Sequence, residues 1–380
     1  MADKALGAAT LTIDLGALAA NWRLLRTRVG AAECAAVLKA DAYGTGAARA
    51  GPALAAAGCK TFFVAQVEEA LDLRALLGPR PDILVLNGAP RGTEMQLAEA
   101  GLVPVLNSFE DIVAWSGCAA GHRVAVQFDT GMTRLGLPED EVKRLIATDG
   151  LLASLDVAYW LSHLACAEDV DNPMNAEQRA VFVAALQSLP SAPASLANSS
   201  GIFLGSDFHF DLVRPGVALY GGNPTPGHDN PMTPVVRLEA PIIQFHHVDS
   251  PKSVGYGAAH RIKRPSRIAT IPVGYADGYL RALGGRGYGF IGDVRVPVIG
   301  RVSMDLITLD VSDVPPADVR IGTAVTLLGG PVDIDALAAR ADTISYELLT
   351  SLGPRYRRVY VGDAAQNSPG QMGSYHRRLV

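Results

Sequence analysis

Along the first 220 residues the apolar positions alternate between two rhythms. Short runs rich in β-branched and aromatic residues read as buried strands: AAVL at 35–38, TFFVA at 61–65, DILVL at 82–86, LVPVL at 102–106, RVAVQF at 123–128, LDVAYWLSH at 155–163, ASLA at 194–197 and FDLV at 210–213. Between them QVEEALDLRALLG, TEMQLAEAG, EDIVAW, PEDEVKRLIA and NAEQRAVFVAAL repeat apolar residues at helical spacing, several ending on a glycine suited to a left-handed cap. Strand–helix units in this order predict an α/β fold with an N-terminal (β/α)8 TIM-like barrel whose last helix is thin. After Tyr220 the rhythm stops. GGNPTPGHDNP is a Pro/Gly/Asn connection, and VVRLEAPIIQFHHV, RIATIPVG, VRVPVIGRVSMDLITLDV and AVTLLG predict a C-terminal, mainly antiparallel β domain. VDIDALAARAD and SYELLTSLG predict short helices within it. The expected division is a barrel over 12–225, a β domain over 226–362 and a frayed tail over 363–380.

Composition narrows the partners. With 49% apolar and 19% charged residues, the 380-residue chain can bury a large core, which excludes disorder and fibrous repeats. The net charge is −5, and basic residues form only short pairs such as Arg357-Arg358. That balance disfavours nucleic acid or an anionic membrane and favours small molecules. No apolar leader opens the chain, and the longest charge-free stretch, Ala180 to Ser206, is broken by Pro190, Pro193 and Asn198, so neither export nor a membrane span is expected. Cys34, Cys59, Cys118 and Cys166 lie far apart without a C-x-x-C pair, as expected of buried free thiols in a reducing cytoplasm.

Polar residues able to do chemistry fall at the carboxyl ends of the barrel strands, where such barrels carry their sites. Lys39 closes the first strand, Arg134 follows the fifth, and His163 ends the sixth. Asn198, Ser199 and Ser200 follow the seventh, and Arg214-Pro215-Gly216 follows the eighth. Each alone has an ordinary explanation: a solvated lysine, a satisfied core histidine, turn serines. Their coincidence at five strand ends weighs against that explanation. Lysine is also scarce here, with six against 27 arginines, and a desolvated lysine can lose its proton and form an imine where arginine cannot. A lysine imine beside a phosphate-binding turn suggests pyridoxal 5'-phosphate.

The stretches AVLKADAYGTG, DTGMTRLG, SHLACAEDVDNPMNAEQ, LANSSG, VRPGVALYG, VGYGAAH, PVGYADGYLR and GRVSMDL resemble, in order, the sequence blocks of alanine racemases. The resemblance implies a barrel plus a C-terminal β domain, pyridoxal 5'-phosphate as cofactor, and a cytoplasmic homodimer with shared active sites. It implies interconversion of L- and D-alanine by two acid–base groups, for peptidoglycan supply or alanine breakdown. Lys39 would hold the cofactor and act as one of these groups, and Tyr256, from a neighbouring protomer, would be the other. Tyr43, Ser199, Gly216 and Val217 match phosphate-binding positions, and His163 and Arg214 match residues at the cofactor ring. Arg134 and Met304 match substrate-carboxylate positions, and Tyr275, Arg281 and Asp305 match the entrance.

Three departures stand out against that pattern. Gln127 replaces a lysine frequent in the family, Pro354 replaces a phosphate-contacting tyrosine, which leaves open whether the nearby Tyr356 takes that role, and Asp41 replaces an asparagine. A broader-specificity amino-acid racemase is the nearest alternative. A decarboxylase of the same architecture lacks support, since no cysteine lies in the second domain. A non-catalytic cofactor carrier would need only the barrel. A metal-dependent hydrolase is also disfavoured, because the adjacent His246 and His247 of a strand point to opposite faces, a poor chelate, and no metal site is expected. Gly44-Thr45-Gly46 begins like a dinucleotide fingerprint, but Arg49 takes the third glycine's place.

Overall fold

The structure, a computed structural model, describes residues 9–249 and 251–362. The tail expected over 363–380 lies outside the described residues.

The barrel is a ring of eight short parallel strands. The first is Glu33–Cys34 continued by Ala36–Val37; then follow Thr61–Val64, Asp82–Val85, Val103–Leu106, Arg123–Gln127, Asp156–Leu161, Ala194–Ser195 and Leu212–Val213. The first seven pair in sequence order, and the eighth pairs back onto the first through Leu212 opposite Glu33 and Val213 opposite Cys34. Ala35 N donates to Val213 O at 3.0 Å and Val37 N to Pro215 O at 3.0 Å, extending that seam. Strands such as Thr61–Val64 and Val103–Leu106 are buried at every residue. Continuous apolar runs arise here because helices cover the outer face while side chains fill the interior. Helix starts follow local rules: Asp14 Oδ1 caps Leu15–Arg28 by accepting from Ala17 N, Ser108 Oγ caps Phe109–Cys118 by accepting from Asp111 N, and Asn172 Oδ1 caps Pro173–Gln187. The eighth strand is followed only by the short turn Val217–Tyr220, as the thin last helix of the sequence suggested.

The second sheet has nine strands, mostly antiparallel. It contains Val236–Pro241, Gln244–Val248, Ser266–Ile271, Tyr288–Ile291, Val294–Ile299, Ile307–Asp310, Ala324–Leu328 and Arg357–Val361. Its ninth member comes from the other end of the chain. Thr10–Asp14 lies between Val236–Pro241, antiparallel, and Arg357–Val361, parallel, with Leu11 and Ile13 fully buried. The short helices Ile334–Arg340 and Ser345–Thr350 precede the last strand.

One expectation is corrected. Cys34 and Cys59 are buried free thiols, whereas Cys118 is exposed and Cys166 only half-buried. Cys118 ends the helix Phe109–Cys118, where the last turn leaves the apolar stripe carried by Phe109, Ile112 and Trp115. Among the described residues no helix is long and apolar enough to cross a membrane, and no cluster of three metal-ligating side chains occurs. His246 and His247 are both exposed on an edge strand.

Candidate active site

A cavity of about 330 Å³ opens at the carboxyl ends of the barrel strands. Lys39, Tyr43, Arg134, His163, Ser199, Arg214, Gly216 and Val217, all singled out from the sequence, lie on its wall. Among the described residues its lining contains three cations and no carboxylate, so the cavity is built for an anion. Burial and the nearby Arg134 guanidinium hold the Lys39 amine below the usual lysine range.

Lys39 opens an unusual turn. Ala40, Asp41, Ala42 and Tyr43 all adopt the left-handed conformation, with φ of 54°, 52°, 53° and 53°, and Gly44 ends the turn at 74°. L-residues disfavour this region by roughly 1–2 kcal/mol each, so the turn persists only because its surroundings hold it. Glu69 Oε1 accepts from Ala40 N at 2.6 Å, and Asp41 Oδ1 accepts from Ala47 N at 2.7 Å. Asp41, the departure from asparagine, thus retains an acceptor that fixes the loop.

At the base of the cavity Arg214 and His163 are wired together. Arg214, buried without a carboxylate partner, donates to Ser162 O at 2.6 Å, to Leu196 O at 3.4 Å and to Ser195 Oγ. It also meets His163 Nδ1 at 3.3 Å. A guanidinium only donates, so Nδ1 accepts and the histidine proton sits on Nε2. Burial first, then Arg214, Arg134 and Lys39, push the His163 pKa down to about 3, leaving a neutral ring. Burial lowers Arg214 only to about 10, so it stays charged at neutral pH. Gln178, from the helix Pro173–Gln187, supports this end by donating to His163 O at 2.9 Å and Thr130 Oγ1 at 3.2 Å while accepting from Ala165 N at 2.8 Å.

At the opposite end the wall consists of small residues and amide groups. Ser199 Oγ accepts from Gly216 N at 2.9 Å and Ala218 N at 3.3 Å. A Cβ on Gly216 would stand 3.0 Å from Tyr43 Cζ and closer still to its phenol oxygen. Tyr43 is stacked on Tyr220 at 4.7 Å, and Tyr346 tilts against its other side at 5.9 Å. Burial pushes the phenols of Tyr43 and Tyr346 well above the ordinary tyrosine range, so both remain protonated. Hydroxyls and amides at one end, with an amine of lowered pKa between cations, fit a phosphorylated aldehyde such as pyridoxal 5'-phosphate.

The departures now have local explanations. Gln127 Nε2 donates to Leu135 O at 3.1 Å, holding the loop that carries Arg134. Tyr356 turns into the core, where its hydroxyl has no partner, and does not reach the cavity wall. Tyr346 stands on the wall instead. Sequence reading passed over Tyr346 as part of a short helix, and also over Phe63 and Asn87. The strand-end rule would have found Asn87, two residues past Val85; nothing local marks Tyr346.

The second-domain residues expected at the site are not on this wall. Tyr256 is 71% exposed and Met304 53% exposed, and Tyr275, Arg281 and Asp305 also face solvent. Backbone bonds from Tyr275 N to Ser303 O, 3.1 Å, and from Ala276 N to Met304 O, 3.0 Å, join two of these loops. The turn bearing Tyr256 packs on Gly300 and Arg301, so all three loops belong to one surface.

Comparison with known proteins agrees with this geometry. Residues 13–224 match the family model of the alanine racemase N-terminal domain, and residues 235–360 match that of the C-terminal domain. An alanine racemase of Rhodospirillum rubrum is 52% identical over 359 residues, covering 93% of this chain and 96% of that protein. A catabolic alanine racemase of Mesorhizobium japonicum is 48% identical, covering 95% of both chains. The crystal structure of alanine racemase from Bartonella henselae, with covalently bound pyridoxal phosphate, superposes with a TM-score of 0.91 at 42% identity, covering 94% of this chain and all of that one. With both domains matched end to end around a lysine-bearing, anion-seeking barrel mouth, the chain belongs to the alanine racemase family.

Proposed function

We propose that this chain interconverts L- and D-alanine in the cytoplasm, with pyridoxal 5'-phosphate held at Lys39 in the 12–225 segment and a second acid–base group supplied by the 226–362 segment. The carrying observation is the cavity whose only charged lining groups are Lys39, Arg134 and Arg214. When bound, the cofactor supplies an electron sink that makes the α-proton of an amino acid removable. The residues of the chain do the rest. Ser199, the turn Gly216–Val217 and the protonated Tyr43 phenol would hold the phosphate end. Neutral His163 and the charged Arg214 would meet the ring end of the cofactor, where a guanidinium can donate a hydrogen bond without surrendering a proton. Arg134, on the loop held by Gln127, binds the substrate carboxylate, with Met304 contributing from the second segment. Lys39, its pKa already lowered, takes or returns a proton at the α-carbon on one face.

Racemisation also needs a proton at the opposite face. Tyr256 is the proposed donor and acceptor there, and its exposure, away from the Lys39 cavity of its own chain, supports a homodimer in which Tyr256 of the partner subunit completes each site. Tyr275, Arg281 and Asp305 then flank the entrance. The free thiols support a reducing compartment.

Borohydride reduction of purified protein followed by peptide mapping should place the cofactor on Lys39. L-Alanine in heavy water should give α-deuterated product with inversion. Deuteration without inversion, or a label on another lysine, would overturn the proposal. Mixed Lys39→Ala and Tyr256→Phe chains should regain activity after subunit exchange, and verified exchange without recovery would exclude shared sites.

A further inference from the structure

The lysine-bearing turn is strained, and the group that locks it comes from the far end of the chain. Gly44 closes the turn by donating to Ala40 O at 2.9 Å. Its own carbonyl accepts from Arg358 Nη1 at 2.6 Å, while Arg358 Nη2 donates to Leu352 O at 3.1 Å. The helix Ser345–Thr350 presses the Leu349 carbonyl against Gly44, so closely that no side chain fits between. That same helix carries Tyr346 on the cavity wall. Two residues further along the strand, Tyr360 Oη donates to Thr45 O at 3.0 Å. Arg358 therefore forks between the residue that ends the left-handed turn and the segment leading from the Tyr346 helix.

We propose that Arg358 is a positioning residue that keeps Lys39 aimed into the cavity by clamping Gly44 to Leu352. Glu69 and Asp41 fix the near side of the turn through Ala40 N and Ala47 N, but they act within the barrel. Arg358 adds a charge-assisted bond at the closing carbonyl, where release would let four left-handed residues relax toward ordinary φ. The clamp also makes the second sheet a condition for the geometry of the first domain's lysine. Its role in the reaction rests on the reading of Lys39 as the cofactor-holding amine; the clamp itself does not.

The test uses the full chain. In cofactor-free protein, Arg358→Gln should speed amide exchange at Ala42 and Gly44 by roughly tenfold to a hundredfold, the worth of one charge-assisted bond, with Arg123–Gln127 unchanged. Arg358→Lys, which keeps the charge but lacks the planar fork that spans both carbonyls, should fall between, and it guards against a variant that does not fold. Adding Ala40→Gly and Ala42→Gly to Arg358→Gln should bring exchange back toward wild type, because glycine accepts positive φ without penalty. With pyridoxal 5'-phosphate added, capture at Lys39, read by absorbance, should slow at least tenfold in Arg358→Gln and recover in the glycine variant. Wild-type exchange at Ala42 and Gly44 in Arg358→Gln, or an equal acceleration across the whole barrel, would overturn the clamp. Absence of cofactor capture by the wild-type chain would instead strike the functional reading, with the exchange result still deciding the clamp.

Discussion

Replacing Gly216 by alanine probes the phosphate end of the cavity. The added methyl would lie 3.0 Å from Tyr43 Cζ and 3.6 Å from Cε2, nearer yet to the phenol oxygen. Tyr43 cannot swing aside. Its ring is stacked on Tyr220 and flanked by Tyr346, and its backbone is fixed in the left-handed turn. Overpacking of this kind costs about 1–3 kcal/mol, which corresponds to a drop of roughly 1–4 °C in the melting temperature of a chain this size. If the strain falls on the bound state, cofactor affinity should weaken by roughly 5- to 150-fold over the same range. Differential scanning fluorimetry of the cofactor-free chain and a fluorescence titration with pyridoxal 5'-phosphate measure the two shares. Adding Tyr43→Phe removes the colliding oxygen and should recover part of the loss in both. A Gly216→Ala chain that melts and binds like wild type would refute the tight cradle. So would a double variant no better than the single one.

Three further outcomes follow from the wiring of the site. His163 is held neutral, with a folded pKa of about 3 against an ordinary 6.5, so below pH 6.5 the unfolded chain binds a proton that the fold refuses. Stability should therefore fall as pH drops from 6.5 toward 3, by up to about 1.4 kcal/mol per unit, and urea unfolding of His163→Asn should show a shallower slope than wild type. Arg134→Gln removes a cation that depresses Lys39, so the pH dependence of Lys39 arylation in cofactor-free protein should move toward alkaline pH; an unmoved profile would contradict the assigned coupling. Gln178→Leu leaves Ala165 N and His163 O without their partners and should cost about 1–3 kcal/mol in denaturant unfolding while loosening cofactor retention.

Much of the barrel could be read from local pattern because each parallel strand is buried on both faces, which turns it into an unbroken apolar run such as TFFV or VPVL. The strand ends then pointed to Lys39, Arg134, His163, Ser199, Arg214 and Gly216, and these residues do share one cavity. The left-handed turn was beyond such a reading. KADAY contains no glycine, and besides Glu69 and Asp41 the groups set against its closing Gly44 are Arg358 and Leu349, more than three hundred residues away. Tyr346 reaches the wall only because its helix packs on that turn, a contact with no sequence period. The parallel pairing of Thr10–Asp14 with Arg357–Val361 was equally hidden, since alternating burial specifies a strand but not its neighbour. Tyr256 could be named from its motif, but nothing in the motif says that within its own chain it stands exposed, off the wall of the Lys39 cavity.

The pairing of Thr10–Asp14 bears on synthesis. This segment is translated long before its two ladder neighbours, which begin at residue 236 and residue 357. Until then Leu11 and Ile13 have no sheet to enter, and a nascent barrel must carry an unpaired edge ahead of it. Synthesis of Arg357–Val361, rather than completion of the barrel, then sets when this end of the sheet can close. A fragment ending near residue 225 should remain sticky and chaperone-dependent, whereas a permuted chain opened in the 222–231 connection would place Thr10–Asp14 soon after Arg357–Val361 in translation, with Val236–Pro241 already made.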